Sequence, residues 1–465
     1  MYQLTQNDFT TYLQLPKHFW ARVHNQTEAS VFQNNLPIQQ VRQLAADYTR
    51  KVLLPNFPEA KLHTNVYFQT KKIKGRADAI VEDTKTNEKH LVAFKASTSS
   101  NKRYIQQLAF QVFAAKKEHT FSRIFMVLLS PHYLKSKQIE IEPLFQVVEV
   151  STAVREELKS IGEKIEQALR VAEKKSPEDL FSCVQPERCP CLHLCHPNLP
   201  EYSIYDASGL RSREIIELRD KGVLKLEDIP IEYLGEKRQL EQRRLTQEKS
   251  SYIDKDSISK ELNLLEYPVH FLDYEAYGFP IPLYQGYWPL SSVVFQFSLH
   301  TLTQEGELSH QEFLHVNTSD PSSHLIKALK TAIPEKGSIV VWDKTLESQV
   351  HNHLAQLRTE HLLFLLDLNQ RLFDLQKIFS KGLYNDYRFK GSVSLKKVLP
   401  VFAPELDHKN LEVSNGLQAA QLWYELVYDK VSVANPSERE KNLREYCQRD
   451  TLGCVEICKK LIALS

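Results

Sequence analysis

The chain has 465 residues, room for about three folding units at roughly 150 residues each, so a small scaffold held together only by cross-links is excluded. Hydrophobic residues make up 42% and charged residues 25%, which excludes wholesale disorder and fibrous repeats. Net charge is only +1, but residues 1–139 hold about 20 Lys and Arg against about 9 Asp and Glu, so the positive excess lies in the amino-terminal third.

No apolar run reaches the roughly 18 residues of a membrane span. The opening MYQLTQNDF lacks the basic and apolar regions of a secretory signal, so a soluble, cytoplasmic protein is expected. In chain order the pattern predicts an α/β protein in four parts. Residues 1–178 open with helical periodicity and continue as short apolar runs (NVYFQT, ADAIVE, HLVAFKAS, RIFMVLLS, FQVVEV), with the helical YIQQLAFQVFAAKK among them and a closing helix over 152–175. Residues 179–200 form a Cys-rich segment bounded by prolines, and residues 201–261 read as a module of short charged helices. Residues 262–465 begin with the strand VHFLDYE, add strands at VVFQFSL and IVVWD, and finish on the helix LREYCQRDTLGCVEICKKL. In the first part Lys71, Lys72, Lys74 and Arg76 lie within six residues, and Lys102 and Arg103 follow a Ser/Thr-rich turn. Such clusters are either a solvated face or contacts to nucleic-acid phosphates.

The carboxylates of the last part carry the chemistry. Asp273 and Glu275 are two apart on a predicted strand and project to one side, where they could share a cation. Tyr446 and Asp450 are four apart on the final helix and stack on one face. Asp343, Glu347 and Asp374 lie between the two pairs. Cutting a phosphodiester needs an activated water and charge stabilisation at the leaving oxygen, and two divalent ions supply both. Clustered Asp and Glu without His or Cys suit Mg²⁺ or Mn²⁺. Cys447, Cys454 and Cys458, at helical spacing nearby, read as core.

As a set, these residues resemble the DEDD exonucleases, the DnaQ-like branch of the ribonuclease-H-like fold, in the subtype with a tyrosine four residues before its last Asp. The resemblance implies a 3′–5′ exonuclease with Asp273, Glu275 and Asp450 as metal ligands and Tyr446 orienting water. It also implies a middle acid, for which Glu347 in WDKTLE is the choice, with Asp343 in place of the family's Asn and Leu346 in place of its Phe.

GRADAIVE, HLVAFKAS and LAFQVF similarly resemble the motifs of RecB-like nucleases of the PD-(D/E)xK fold, with Asp78, Lys95 and Gln111 matching. Ala93 stands where that family has an acid, and alanine cannot bind a cation. Neither Glu82 nor Glu88 has a spacing that replaces it. The expectation is a degenerate site in a basic, nucleic-acid-binding or structural domain. With LLSPHYLKSKQIEIEPLFQVVEV, RFKGSVSLKKVLPVF and YCQRDT, the arrangement resembles an uncharacterised bacterial family that fuses a RecB-like half, a Cys cluster and a DEDD-like half.

Cys183, Cys189, Cys191 and Cys195 fall within 13 residues, and the 182 residues before them contain no cysteine. In a cytosolic chain this clustering points to metal thiolates before disulfides. RecB-like relatives with an iron–sulfur cluster place one further cysteine near the amino terminus, where this chain has Leu15. Three readings stay open: a 4Fe–4S cluster with Cys191 as the fourth ligand, zinc assisted by His193 or His196, or no metal. The competing view of the whole chain is a catalytically inactive nucleic-acid-binding or protein-interaction scaffold built on decayed nuclease folds.

Overall fold

A computed structural model describes residues 2–27, 36–57, 59–429 and 435–464. The chain divides into two compact α/β units, Met1–Asn198 with Gly278–Ser291, and Leu199–Tyr277 with Ser292–Ser465.

The sheet of the first unit holds β1 (Leu4–Thr5), β2 (Ala60–Gln69), β3 (Ile73–Asp83), β4 (Lys89–Lys95), β5 (Arg123–Leu129) and β6 (Phe145–Glu149). β3 pairs along one edge with β2 and on the other with β1 and then β4, and the order continues through β5 to β6. The β4 to β5 step is parallel. The central strands β4 and β5 are almost wholly buried, covered on both faces as strands inside a layered α/β unit must be. Helices α1 (Gln6–Gln14), α2 (Pro16–Val23), α3 (Lys102–Ala115) and α4 (Ser151–Ala172) flank the sheet. Phe9, Phe19, Phe110, Leu108, Ile161 and Ile165 from these helices fill one core. The Cys-rich segment follows α4 and packs in the same core.

Gly278–Ser291 leaves the second unit between two of its strands and joins the first. There Ile281 enters a core with Val41, Tyr48, Val127 and Tyr133. Backbone bonds from Lys135 N to Tyr287 O (3.0 Å) and from Gly286 N to Lys135 O (2.9 Å) fix the segment.

The second unit contains a ribbon of β7 (Ser251–Ile253) and β13 (Tyr384–Asp386), and a five-stranded sheet of β8 (Val269–Gly278), β9 (Ser292–Leu302), β10 (Leu308–Leu314), β11 (Ile339–Val341) and β12 (Leu372–Asp374). The sheet order is β10-β9-β8-β11-β12. β9 and β10 are antiparallel, whereas β11 runs parallel to both β8 and β12. Helix α5 (Lys344–Leu357) follows β11, and α6 (Leu395–Phe402), α7 (Gly416–Tyr428) and α8 (Pro436–Leu464) follow the ribbon. α8 begins on a proline, whose fixed φ suits a helix start, and buries Leu443, Tyr446, Cys447, Asp450, Cys454, Ile457 and Leu461 as one stripe. Among the described residues no helix is long and apolar enough to cross a membrane.

Candidate functional site

The first four residues of β8, Val269–Leu272, are all buried, and this buried run stops at Asp273 in the middle of the strand. Parallel β11 lies beside it, ends about level with Leu272 and leads directly into α5, so Asp273 sits just past the carboxyl end of β11. Such an edge is where open α/β sheets place ligands. Asp273 and Glu275 meet Asp450 there. One oxygen from each lies within 4.8 Å of the others, close enough to hold a metal ion, although Asp450 is 175 residues along the chain from Glu275.

The carboxylates hold one another in an unfavourable charge state. Burial first, and then the charge of Asp450, push the Asp273 carboxyl well above the usual carboxylate range. Burial and the charges of Asp273, Asp450 and Glu347 do the same to Glu275. A divalent cation would relieve both. The Cys447 thiol donates to Asp273 Oδ2 at 3.5 Å. Glu275 reaches the start of α7, where Gly416 is so close that a Cβ would stand 3.5 Å from Glu275 Oε2.

Glu347 lies in the first turn of α5, buried, and is not among the three acids that lie mutually within 4.8 Å. Burial and the charge of Asp273 raise its carboxyl well above the usual range, so the two acids sense each other. α5 is pinned to β8 by the Tyr274 hydroxyl and His351 Nε2, 2.9 Å apart, and His351 Nδ1 lies 2.8 Å from Asn369 Oδ1. Asp343 caps α5, accepting from Thr345 N at 2.8 Å. Asp374 ends β12, and burial raises its carboxyl above the usual range. Leu346 is 60% exposed.

Tyr446 is buried one turn before Asp450, its phenol pushed far up by burial and by the charges of Asp450, Glu275 and Asp273. Two neighbours join it: His408, which had no sequence signal, and Lys396, which lies in the stretch RFKGSVSLKKVLPVF. His408 meets the Tyr446 ring edge-on at 5.7 Å and brings Nε2 to 2.7 Å from Asp450 Oδ1. Lys396 lies over the same ring at 5.6 Å and donates to Ser414 O at 2.7 Å. Both line a cleft of about 730 Å³ with Arg388, Lys390, Lys397 and Lys409, and Asp407 is its only acid among the described residues. The Arg388–Gly391 loop, whose Arg388 and Lys390 line this cleft, is tied from behind by Ser208 Oγ, which donates to Gly391 O at 2.9 Å. Gly391 has φ +69°, and a Cβ there would stand 2.5 Å from Asp206 O.

In the first unit Asp78, Lys95 and Gln111 line one pocket of about 480 Å³ with Arg22, Arg42, Lys74 and Arg76. Asp78 is the pocket's only acid among the described residues. It is held by Arg76 at 3.2 Å, Arg42 at 3.7 Å and the backbone N–H of Phe94 at 3.0 Å. Lys95 donates to Gln107 Oε1 at 2.8 Å, and burial lowers its ammonium to about 8. Gln111 donates to Gln6 Oε1 at 2.7 Å. Ala93 is buried on β4, and among the described residues no group able to hold a metal includes Asp78.

The Cys-rich segment forms a cysteine and histidine cluster that could hold a metal ion. His18, Cys189, Cys191 and Cys195 lie mutually within 4.8 Å, and so do Cys183, Cys189 and His196. His18, from α2, had no sequence signal beyond its place three residues after Leu15, whereas His193 is exposed and belongs to neither group. Hydrogen bonds from the Cys183 and Cys191 thiols hold Cys195 far below the usual thiol range and raise their own.

Residues 270–394 match a family described as a domain of unknown function, DUF2779. The matched stretch includes Asp273, Glu275 and Glu347 and ends before Tyr446 and Asp450. No curated protein matches the chain. A solved structure described as "Crystal structure of SSO0001" is 16% identical over 43% of this chain and 87% of that one, with a TM-score of 0.23. At that score the likeness carries no argument.

Proposed function

We propose that the protein is a metal-dependent nuclease that hydrolyses phosphodiester bonds in DNA or RNA, acting as a 3′–5′ exonuclease from its second unit. The observation that carries this reading is the meeting of Asp273, Glu275 and Asp450 at one strand edge, each oxygen within 4.8 Å of the others. An all-oxygen donor set fits Mg²⁺ or Mn²⁺. When bound, a pair of such ions would activate water and stabilise the leaving oxygen. Asp273, Glu275 and Asp450 would hold them, with Glu347 behind Asp273. Tyr446, one helical turn from Asp450, orients the attacking water, and its raised pKa keeps the phenol a hydrogen-bond donor at neutral pH. The basic cleft beside Tyr446 binds the phosphate backbone by charge.

The sheet order supports a ribonuclease-H-like reading of this unit, because the strand bearing the acids is central, between an antiparallel pair and two parallel strands. In the first unit a lone acid among arginines and lysines supports a degenerate RecB-like pocket that grips nucleic acid without cutting it. The second reading, an inactive scaffold built on decayed nuclease folds, is favoured by Ala93 alone.

The test is digestion of 3′- and 5′-labelled single- and double-stranded DNA and RNA with Mg²⁺ or Mn²⁺. Stepwise shortening from the 3′ end is expected. Asp273→Ala should lower the rate at least about 100-fold, since the ions supply several kcal/mol, while binding persists. Activity that survives Asp273→Ala and disappears with Asp78→Ala would transfer the chemistry to the first unit.

A further inference from the structure

The donor set of the cysteine cluster does not fit a four-iron cluster. Such a cluster places irons and sulfides between its thiolates and spreads them well beyond the separations found here. Cys191 Sγ and Cys195 Sγ are 3.8 Å apart, and Cys189 Sγ is 3.3 Å from His18 Nε2. Two thiolates each about 2.3 Å from one tetrahedral zinc stand about 3.8 Å apart, and a thiolate and an imidazole about 3.5 Å. Both separations match the edges of a single-ion tetrahedron. All four cysteines are free thiols, so no disulfide competes for them.

We propose that His18, Cys189, Cys191 and Cys195 bind one structural zinc ion that clamps α2 to the Cys-rich segment across 171 residues of chain. Three buried thiols and a half-buried imidazole complete the coordination shell from the protein alone, as structural zinc sites do and catalytic ones do not. The surroundings are built for a fixed joint. Lys17 Nζ donates to Ser182 Oγ at 2.9 Å, and Trp20 Nε1 donates to Lys174 O at 2.9 Å, so the residues either side of His18 are tied to the same stretch of chain. Cys183 and His196, 3.1 Å apart, form with Cys189 a group of only three donors, so the four-donor set is assigned the metal and these two stay beside the ion. Where sequence reasoning looks for a cysteine at Leu15, an imidazole one helical turn later does the work.

The experiment is metal analysis of the full chain purified anaerobically, with Co²⁺ exchange as the spectroscopic readout. One zinc per chain is expected, and the Co²⁺ form should show the intense visible bands of a tetrahedral thiolate site. His18→Ala should lose the zinc, His196→Ala should keep it, and His18→Cys should keep it with a shifted Co²⁺ spectrum. The last variant separates loss of a ligand from loss of folding. Zinc removal should also raise protease cleavage within residues 183–198 while leaving cleavage elsewhere unchanged. Iron with absorbance at about 400 nm overturns the proposal. So does a chain that takes up neither zinc nor Co²⁺, or full zinc retention in His18→Ala.

Discussion

At the scale of single residues, the second unit holds charges in places that work against its own stability. Asp273 and Glu275 are buried against Asp450 with their carboxyls raised, so ionising them in the metal-free protein destabilises the fold. Removing that repulsion should therefore help the apo protein. Asp273→Asn is expected to raise its thermal midpoint by scanning calorimetry while cutting the stabilisation gained from added Mg²⁺ or Mn²⁺. In the wild type that gain should be larger at pH 8 than at pH 6, because protons compete with the cation for the same oxygens. The buried histidines act in the opposite sense. Burial lowers His270 and His300 from 6.5 to about 4, so each stays neutral when folded and takes up a proton more readily when unfolded. Their contribution is fully present above pH 6.5 and is lost as pH falls towards 4. The thermal midpoint should drop across that interval, and less steeply in His270→Gln.

At the scale of elements, two glycines set how the walls of the acidic site and of the basic cleft beside it are held. α8 packs against α6 at Gly453, where a Cβ would stand 2.8 Å from Leu399 Cδ2. Gly453→Val should cost about 1–3 kcal/mol by overpacking, read as a shifted denaturation midpoint, and should weaken activity by moving Tyr446 and Asp450. Gly391→Ala strains a positive φ and drives a methyl into a backbone oxygen, so it should loosen the Arg388–Gly391 wall and weaken nucleic-acid binding more than it slows bond cleavage at saturation. Elements were also where the sequence was most legible. Asp273 and Glu275 follow an apolar run at a spacing of two, and Tyr446 and Asp450 stand four apart within a long periodic segment, so each pair's shared face could be read directly. Their convergence could be read only through resemblance. His408 and His18 could not be read at all, because a single imidazole reached by folding, 42 and 171 residues from its partners, leaves no local period.

At the scale of the whole molecule, a net charge of +1 gives no general pull on a polyanion, so nucleic-acid affinity must come from local clusters. Binding should follow a log–log salt dependence set by the few phosphates those clusters touch. Replacing the exposed Lys409 by Ala should lower that slope by about 1 without changing sequence preference, as fluorescence anisotropy across a salt series would show. The division into units was only partly readable, because a hydrophobic stretch between two strands does not state where it will be buried.

That stretch decides how the protein can be dissected. A fragment starting at Leu199 would keep every acid of the strand-edge site but strip the cover from Phe279, Ile281 and Tyr287, all buried in the intact chain. These sticky side chains would hang from the end of the very strand that bears Asp273 and Glu275. Such a truncation should precipitate on concentration, and splicing Gly278 to Ser291 through a short polar turn should restore its solubility. Inactivity of the unspliced fragment would therefore reflect the severed excursion, not a need for the amino-terminal pocket in cutting.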